Sequence, residues 1–280
     1  MTTDIPWSEL QKRRLQDLNG LPDMSDSTFA STAERDASFK KQERLLTDEA
    51  KTKLNDTMDG IRRPALCQME SILTDVLIQA GFTQVTTPVI LPKSMLAKMT
   101  IDDEHALSSQ VFWLDEKRCL RPMLAPNLYV LLKDLVRLRK EPVKIFEIGS
   151  CFRKESQSSR HLNEFTMLNL VEWGLEESDR HRRLEEYAQL VMDAAGINDV
   201  HLEHENSVVY GDTIDVMQGE LELGSGAMGP HFLDGNWGMT GAWVGIGFGL
   251  ERLTMVHEGS RNVRSVGKSI SYFNGVRLNL

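Results

Sequence analysis

Arg153 and Glu155 stand two residues apart at the end of Ile145–Arg153, a short, apolar, proline-free run that reads as a β-strand. On an extended chain such a pair projects from one face. The polar loop that follows, Lys154–Asn163, carries Arg160 and His161. An Arg-x-Glu at the mouth of a hairpin, with further cations beyond it, suits a polyanion such as a nucleotide phosphate. A hairpin with a solvated, charged tip is the ordinary alternative. A second strand follows, in which Phe165, Met167, Asn169, Val171 and Trp173 alternate onto one face. Asn169 is the exception on that apolar face. Burying an amide without partners costs about 1–3 kcal/mol, so Asn169 needs either neighbouring backbone or a ligand.

A third stretch with chemical content is Gly245-x-Gly247-x-Gly249, in a strand Trp243–Phe248 that runs into a helix starting Gly249-Leu-Glu251-Arg252. A dinucleotide fingerprint needs a different glycine spacing inside a βαβ unit, and the neighbouring strands read as antiparallel. Glycines on a strand instead permit close approach of a ligand, here beside Trp243. His201-x-x-His204 has a metal-like helical spacing, but it sits in a strand-like segment without a third ligand and reads as surface.

The elements that must position these residues are legible in outline. Ser8 opens a helix with a capping-box pattern to Gln11, and Asn19-Gly20 ends it; a polar stretch, Leu21–Ser27, follows. A helix is expected from about Thr28 to Met58. Its few apolar residues (Phe29, Phe39, Leu45, Leu46, Leu54) place it on a surface, so residues 1–60 read as a helical appendage. Pro64 opens a second helix with Leu66, Met69, Ile72, Leu73, Val76, Leu77 and Ala80 at helical spacing, closed by Gly81. Phe82–Thr87 reads as a strand ended by Pro88. Val111–Leu114 and Arg118–Leu120 read as a hairpin, and Pro126–Leu138 as a helix with one leucine face. Asp179–Ala195 is helical, and Thr213–Met217 with Glu220–Leu223 form a hairpin about Gln218-Gly219.

Composition narrows the function class. With 41% hydrophobic and 26% charged residues the 280-residue chain is an ordinary globular protein, and no apolar run approaches a membrane span. No secretory signal is visible at the N-terminus. Cys67, Cys119 and Cys151, scattered and odd in number, argue against a disulfide framework and fit a reducing cytoplasm. A net charge of −9 disfavours general nucleic-acid binding, leaving only local basic clusters. These are Lys12-Arg13-Arg14; Lys133, Arg137, Arg139, Lys140 and Lys144; and the acid-free tail with Arg261, Arg264, Lys268 and Arg277.

Three stretches in this order, Pro64–Pro88, Phe152–Phe165 and Gly245–Arg252, resemble motifs 1, 2 and 3 of the class II aminoacyl-tRNA synthetases. Arg121–Tyr129, Lys144–Arg153, His161–Asn169, Tyr210–Thr213, Glu222–Ser225 and Ser271–Gly275 narrow the resemblance to the pyrrolysine-charging branch of that family, over roughly residues 60–280. A separate N-terminal tRNA-binding domain is not recognisable.

The resemblance implies an α+β fold: an antiparallel β-sheet flanked by helices (61–280) with a small N-terminal helical appendage (1–60). It implies ATP and Mg²⁺ as cofactors, a two-fold homodimer, and a cognate amber-suppressor tRNA as partner. Arg153 and Arg252 would be the catalytic cations on the phosphates. Glu155, His161, Leu162, Phe165, Glu222, Leu223 and Ser225 would complete the ATP site, with Glu222 and Ser225 holding magnesium. Ala125, Leu128, Tyr129, Leu132, Met167, Val171, Ala227, Trp243 and Gly245 would line a pocket for a bulky Nε-acylated lysine. Asn169 would bond its side-chain carbonyl, and Tyr210 would sit on a mobile loop over it. Val171 departs from the cysteine of several relatives and should alter pocket shape only slightly. A class II-like enzyme that passes its adenylate to another acceptor, or uses another amino acid, carries the same motifs; a non-catalytic relative would have lost them.

Overall fold

The computed structural model describes residues 5–20, 27–139, 142–155, 161–260 and 262–279. The chain begins with β1 (Ile5–Pro6), α1 (Glu9–Asp17), β2 (Thr28–Phe29) and α2 (Thr32–Asn55). The Ser8–Gln11 capping box forms as expected. The long helix starts later than its composition suggests, because Ser31 caps it and Thr28–Phe29 pair with Ile5–Pro6 instead. This segment is also more than a surface helix: Trp7, Leu15, Leu18, Phe29 and Leu46 form a small core of their own. Leu21–Asp26 of the expected polar stretch lie outside the described residues.

A π-helical turn, Asp56–Ile61, carries the chain past Asp59-Gly60, so the break falls at Arg62 in the left-handed region rather than at the glycine. Then come α3 (Ala65–Gln79), β3 (Thr83–Gln84), β4 (Ile90–Pro92) and α4 (Lys93–Lys98). Only Thr83–Gln84 of the expected strand joins a ladder. The expected hairpin at Val111–Leu120 closes through Leu114 N to Arg118 O and Leu120 N to Phe112 O around the Trp113–Cys119 bridge, and β5 (Arg118–Leu120) also pairs with β4. Next are α5 (Ala125–Leu138), β6 (Val143–Phe152), β7 (Glu164–Trp173), α6 (Arg180–Ala195), β8 (His201–Ser207), β9 (Gly211–Gln218) and β10 (Leu221–Gly229). The chain ends with α7 (Asp234–Trp237), β11 (Trp243–Gly249), α8 (Leu250–His257), α9 (Val263–Val266), β12 (Tyr272–Phe273) and β13 (Val276–Arg277).

Among the described residues, seven strands form one sheet in the order β3-β6-β7-β11-β10-β9-β8, antiparallel except at β3–β6. The α+β fold expected from the resemblance is borne out. Strand alternation divides the interior. Leu168 and Leu170 of β7 and Val244, Ile246 and Phe248 of β11 point to one side, where Leu73 and Leu77 of α3, Leu184 and Val191 of α6 and Leu253 of α8 cover them. Val171, Trp173 and Trp243 point to the other side, against Leu128, Tyr129 and Leu132 of α5.

One buried ion pair ties the second side together. Arg121 Nη1 lies 2.7 Å from Glu147 Oε1, with the two side chains 3% and 1% exposed. Arg121 also donates to Ser150 O and Thr87 Oγ1, and the Thr87 hydroxyl donates to Glu147 Oε2. Asn127 at the start of α5 donates to Thr87 Oγ1 and Pro88 O. Gly149 is required here, since a Cβ at this position would collide with the Arg121 guanidinium. Removing one partner of a buried pair leaves the other charge uncompensated. Glu147→Ala should therefore lower stability by about 3–5 kcal/mol, read as a shift in the urea midpoint.

Candidate active site

The expected site residues converge on the α5 side of the sheet, around a cavity of about 680 Å³, within the usual range for small-ligand sites. Register explains its floor. On β11, Gly245 lies between Val171 of β7 and Ala227 of β10, and Gly247 lies between Asn169 and Ser225. A Cβ at Gly247 would come 3.1 Å from the Met167 methyl, and one at Gly245 3.3 Å from the Trp243 ring. The glycines thus form a lane without side chains, and a ligand can lie directly on the backbone.

One end of the cavity is apolar and aromatic. Ala125, Leu128, Tyr129, Leu132, Met167, Val171, Trp173, Tyr210, Ala227, Trp243 and Gly245 line it. Trp173 stacks on Trp243 at 5.8 Å, and Tyr129 lies flat on Trp237 at 5.1 Å. Asn169 is the amide within this wall. Its Nδ2 donates to Ile246 O at 3.1 Å, so the backbone partner is present. It also lies 3.5 Å from Leu170 O, a long contact that a ligand carbonyl could replace.

The sequence reading missed the group that holds this wall. Asp234, only 3% exposed, accepts from Tyr129 O–H at 2.9 Å, Trp243 Nε1–H at 2.9 Å and the His231 amide at 2.7 Å. Burial first, then Tyr210 and Asp234 close by, push the Tyr129 phenol far above its ordinary value, so it stays a donor. The polar handles of Tyr129 and Trp243 are thus spent outside the cavity. Only the short sequence separation of Asp234 from Trp243 could have hinted at this.

The other end is polar. Arg153, Glu155, His161, Leu162, Phe165, Asp215, Glu222, Ser225, Gly247, Gly249, Glu251 and Arg252 line it. Arg153 spends Nε on Pro122 O at 2.8 Å and rests its guanidinium 5.4 Å from the centre of the Phe165 ring. Its two terminal nitrogens remain as donors toward the cavity. Burial pulls Arg153 below its ordinary value, while Cys151, Glu155 and Glu222 push the other way. Arg252 donates to Glu222 O at 2.8 Å and lies 3.4 Å from Glu222 Oε2. Glu251 accepts the Thr166 amide on both oxygens, at 2.8 and 2.9 Å, which pins the start of α8 to β7. Burial raises the Cys151 thiol to about 12, so no thiolate nucleophile is present beneath the site.

One expected side chain lies elsewhere, and one further group joins the site. Leu223 is 1% exposed and packs on the opposite side of the sheet, because the bulge between Glu222 and Gly224 turns it into the core. Its side chain lies outside the cavity. Asp215, not anticipated, is the cross-strand partner of Ser225 and accepts its hydroxyl at 2.6 Å. Arg160 lies outside the described residues. His201 and His204 are exposed on β8, where His201 Nε2 meets Glu203 at 2.6 Å.

Residues 50–274 match the family model "tRNA synthetases class II core domain (F)". The chain belongs to the class II aminoacyl-tRNA synthetases. A crystal structure of a pyrrolysyl-tRNA synthetase from Desulfitobacterium hafniense superposes with a TM-score of 0.94 at 53% identity, covering 99% of each chain. A second structure from that organism gives 0.92 at 52% identity, covering 99% of this chain and 96% of the other. Lysine--tRNA ligases are more distant: that of an Azoarcus species is 36% identical over 110 residues, 39% of this chain and 19% of its own length. That of Chromobacterium violaceum is 32% identical over 153 residues, 54% of this chain and 25% of its own. The chain thus spans a quarter or less of these two curated relatives. In this synthetase core Asp234 is a structural anchor of the aromatic wall. Asp234→Ala would orphan three buried donors and should cost about 2–4 kcal/mol in chemical denaturation.

Proposed function

We propose that this chain activates pyrrolysine, or a similar bulky Nε-acylated lysine, with ATP and transfers it to the 3′ end of its cognate amber-suppressor tRNA. The observation that carries the reading is one continuous cavity with two chemically different ends: an aromatic chamber with the Asn169 amide in its β7 wall, and an arginine-lined chamber. A long apolar side chain with one carbonyl suits the first, with Asn169 donating to that carbonyl. A triphosphate suits the second, with Arg153 and Arg252 as donors to its oxygens.

The carboxylate of the amino acid attacks the α-phosphate in line, pyrophosphate leaves, and a tRNA ribose hydroxyl then takes the acyl group. No side chain becomes covalent. Catalysis is positioning and charge neutralisation. Arg153, braced by Pro122 and Phe165, enters the reaction already oriented. Glu155, His161 and Leu162 border the nucleotide end. The carboxylates of Glu222 and Asp215 and the hydroxyl of Ser225 are hard oxygen donors and fit Mg²⁺, which takes few protein ligands and shares the rest with phosphates. When bound, the ion would neutralise charge on the triphosphate.

The apolar chamber discriminates by shape, at about 1–3 kcal/mol per methylene, so selectivity among bulky lysine derivatives is loose. The site residues themselves, and the division into an appendage (1–60) and a catalytic domain (61–280), belong to this proposal. So does a cytoplasmic location; no helix among the described residues is long and apolar enough to cross a membrane.

For the tRNA, several cations singled out by sequence are already paired. Arg14 bonds Glu43, Lys268 bonds Glu164, and Arg277 bonds Asp17. Lys140 and Arg261 lie outside the described residues. Arg137 bonds Asp134 on its own helix. Arg13 on α1 and Lys133 on the exposed side of α5 are the better candidates for phosphate contacts. Ile72 and Ile78 of α3, with Val89 and Ile90 at β4, are 37–51% exposed. Apolar surface of this kind supports a two-fold homodimer. Sedimentation at micromolar concentration should give the dimer mass, and a monomer would remove that part of the proposal.

The test of function is aminoacylation of a pyrrolysine amber-suppressor tRNA with an Nε-acyl lysine beside the twenty standard amino acids. Charging with the bulky lysine alone is expected, and Arg153→Ala should slow adenylate formation about 10²–10³-fold. Adenylate without charging would move the reading to another acceptor. Charging with a standard amino acid would overturn the pocket assignment, and full activity in Arg153→Ala would overturn the role of that arginine.

A further inference from the structure

The loop joining β8 to β9, residues 208–210, forms part of the cavity wall: Val208, Val209 and Tyr210 all line it. Val209 is buried in the apolar core on the α5 side, with Tyr210 packed against it. Ser207 Oγ accepts the amides of Val209 and Tyr210 at 3.2 and 3.3 Å. Two of its carbonyls reach outward to two histidines from distant parts of the chain. His105 Nε2 meets Val208 O at 3.0 Å, and His231 Nε2 meets Tyr210 O at 2.7 Å.

The two histidines are built alike. His105 Nδ1 accepts the amide of Leu107 at 3.1 Å, and His231 Nδ1 accepts the amide of Leu233 at 3.3 Å. In each case the acceptor is the ring nitrogen facing a backbone N–H two residues on. That nitrogen carries no proton, so in the neutral ring the proton sits on Nε2 and is donated to the loop carbonyl. The same local turn therefore fixes both the orientation and the tautomer of each ring.

Each turn is itself anchored to the cavity. The His105 turn is set by Asp102, whose carboxylate accepts the His105 amide at 3.0 Å, and it leads into Leu107 on the cavity wall. The His231 turn is set by Asp234, which also holds Tyr129 and Trp243. The His231 ring lies 5.6 Å from the Tyr210 ring. A displacement of the aromatic wall or of the Leu107 side therefore pulls on the loop that faces it.

We propose that His105 and His231 form a two-sided clasp that positions the 208–210 loop over the amino-acid chamber, and so sets how tightly a long side chain is held. The proposal rests on reading the aromatic chamber as the amino-acid pocket. Neither histidine touches the polar end, so both are positioning residues and their effect falls on amino-acid binding rather than on the phosphate chemistry. A rigid loop is pre-formed for the ligand, whereas a released loop must be ordered at the moment of binding.

The test compares His105→Ala, His231→Ala and the rescue variants His105→Gln and His231→Gln, which keep an N–H donor. Pyrophosphate exchange with Nε-(tert-butoxycarbonyl)-lysine gives KM for the amino acid, KM for ATP and kcat. Hydrogen exchange of the segment 205–213 reports the loop directly. Each alanine variant should raise the amino-acid KM about fivefold, the worth of one net hydrogen bond, with kcat and the ATP KM unchanged. It should also speed exchange in 205–213 alone, and the glutamine variants should recover most of both effects. Unchanged KM and unchanged exchange in both alanine variants would overturn the clasp. So would a loss that falls equally on kcat and the ATP KM. If the unmodified enzyme activates no Nε-acyl lysine, the pocket reading fails, while exchange of 205–213 in the variants still decides the clasp.

Discussion

The Arg121–Glu147 pair is the constraint on which the site is built. Its two charges are almost completely shielded from water, and the arrangement is stable only because Ser150 O and Thr87 fill their remaining hydrogen bonds. These partners come from separate parts of the chain. Thr87 and Pro88 follow β3, Asn127 begins α5, and Glu147 and Ser150 belong to β6. Backbone bonds reinforce the junction, with Arg121 N to Val89 O and Phe152 N to Arg121 O. From this point α5 carries Leu128, Tyr129 and Leu132 to the apolar chamber, while β6 ends at Arg153 in the polar one. A polar network that accepts only one geometry thus fixes the distance between the two ends of the cavity.

The sheet converts that fixed frame into a binding surface. Pleating sends Val244, Ile246 and Phe248 of β11 to the side covered by α3, α6 and α8, and leaves Gly245 and Gly247 beneath the cavity beside Trp243. The same alternation on β7 turns Met167, Asn169 and Val171 toward the ligand side while Leu168 and Leu170 fill the core. Selectivity then follows from what is absent as much as from what is present. Tyr129 O–H and Trp243 N–H are both held by Asp234, while Asn169 brings an amide to the β7 wall. A chamber of that kind reads length and bulk, with one polar check.

Anchoring recurs at the polar end. Arg153 gives one donor to Pro122 O and rests on Phe165, so less side-chain freedom is lost when an anion binds. Glu251 uses its carboxylate on a backbone amide of β7, leaving its neighbour Arg252 to face the cavity. The adjacent Glu-Arg pair thus divides its work between holding the helix and meeting the ligand.

Local signals were enough for much of this. Alternation put Phe165, Met167, Asn169, Val171 and Trp173 on one face, capping placed α1, and the glycine spacing before Glu251-Arg252 marked the cavity floor and the helix that follows. Each depends on near neighbours, and side-chain period and turn chemistry are properties of the chain itself. Long-range pairing was beyond that reach. Thr28–Phe29 became strand because Ile5–Pro6 was there to pair with it, and the Leu223 side chain turned into the core at a bulge against β9. The roles of Asp215, Asp234, His105 and His231 were beyond that reach too, since Ser225, Tyr129, Val208 and Tyr210 meet them only in the folded chain. The sequence by itself determined which residues could meet an amino acid and a nucleotide. Only the tertiary structure decided which groups hold them in place, because buried charges and amides find partners by proximity in space.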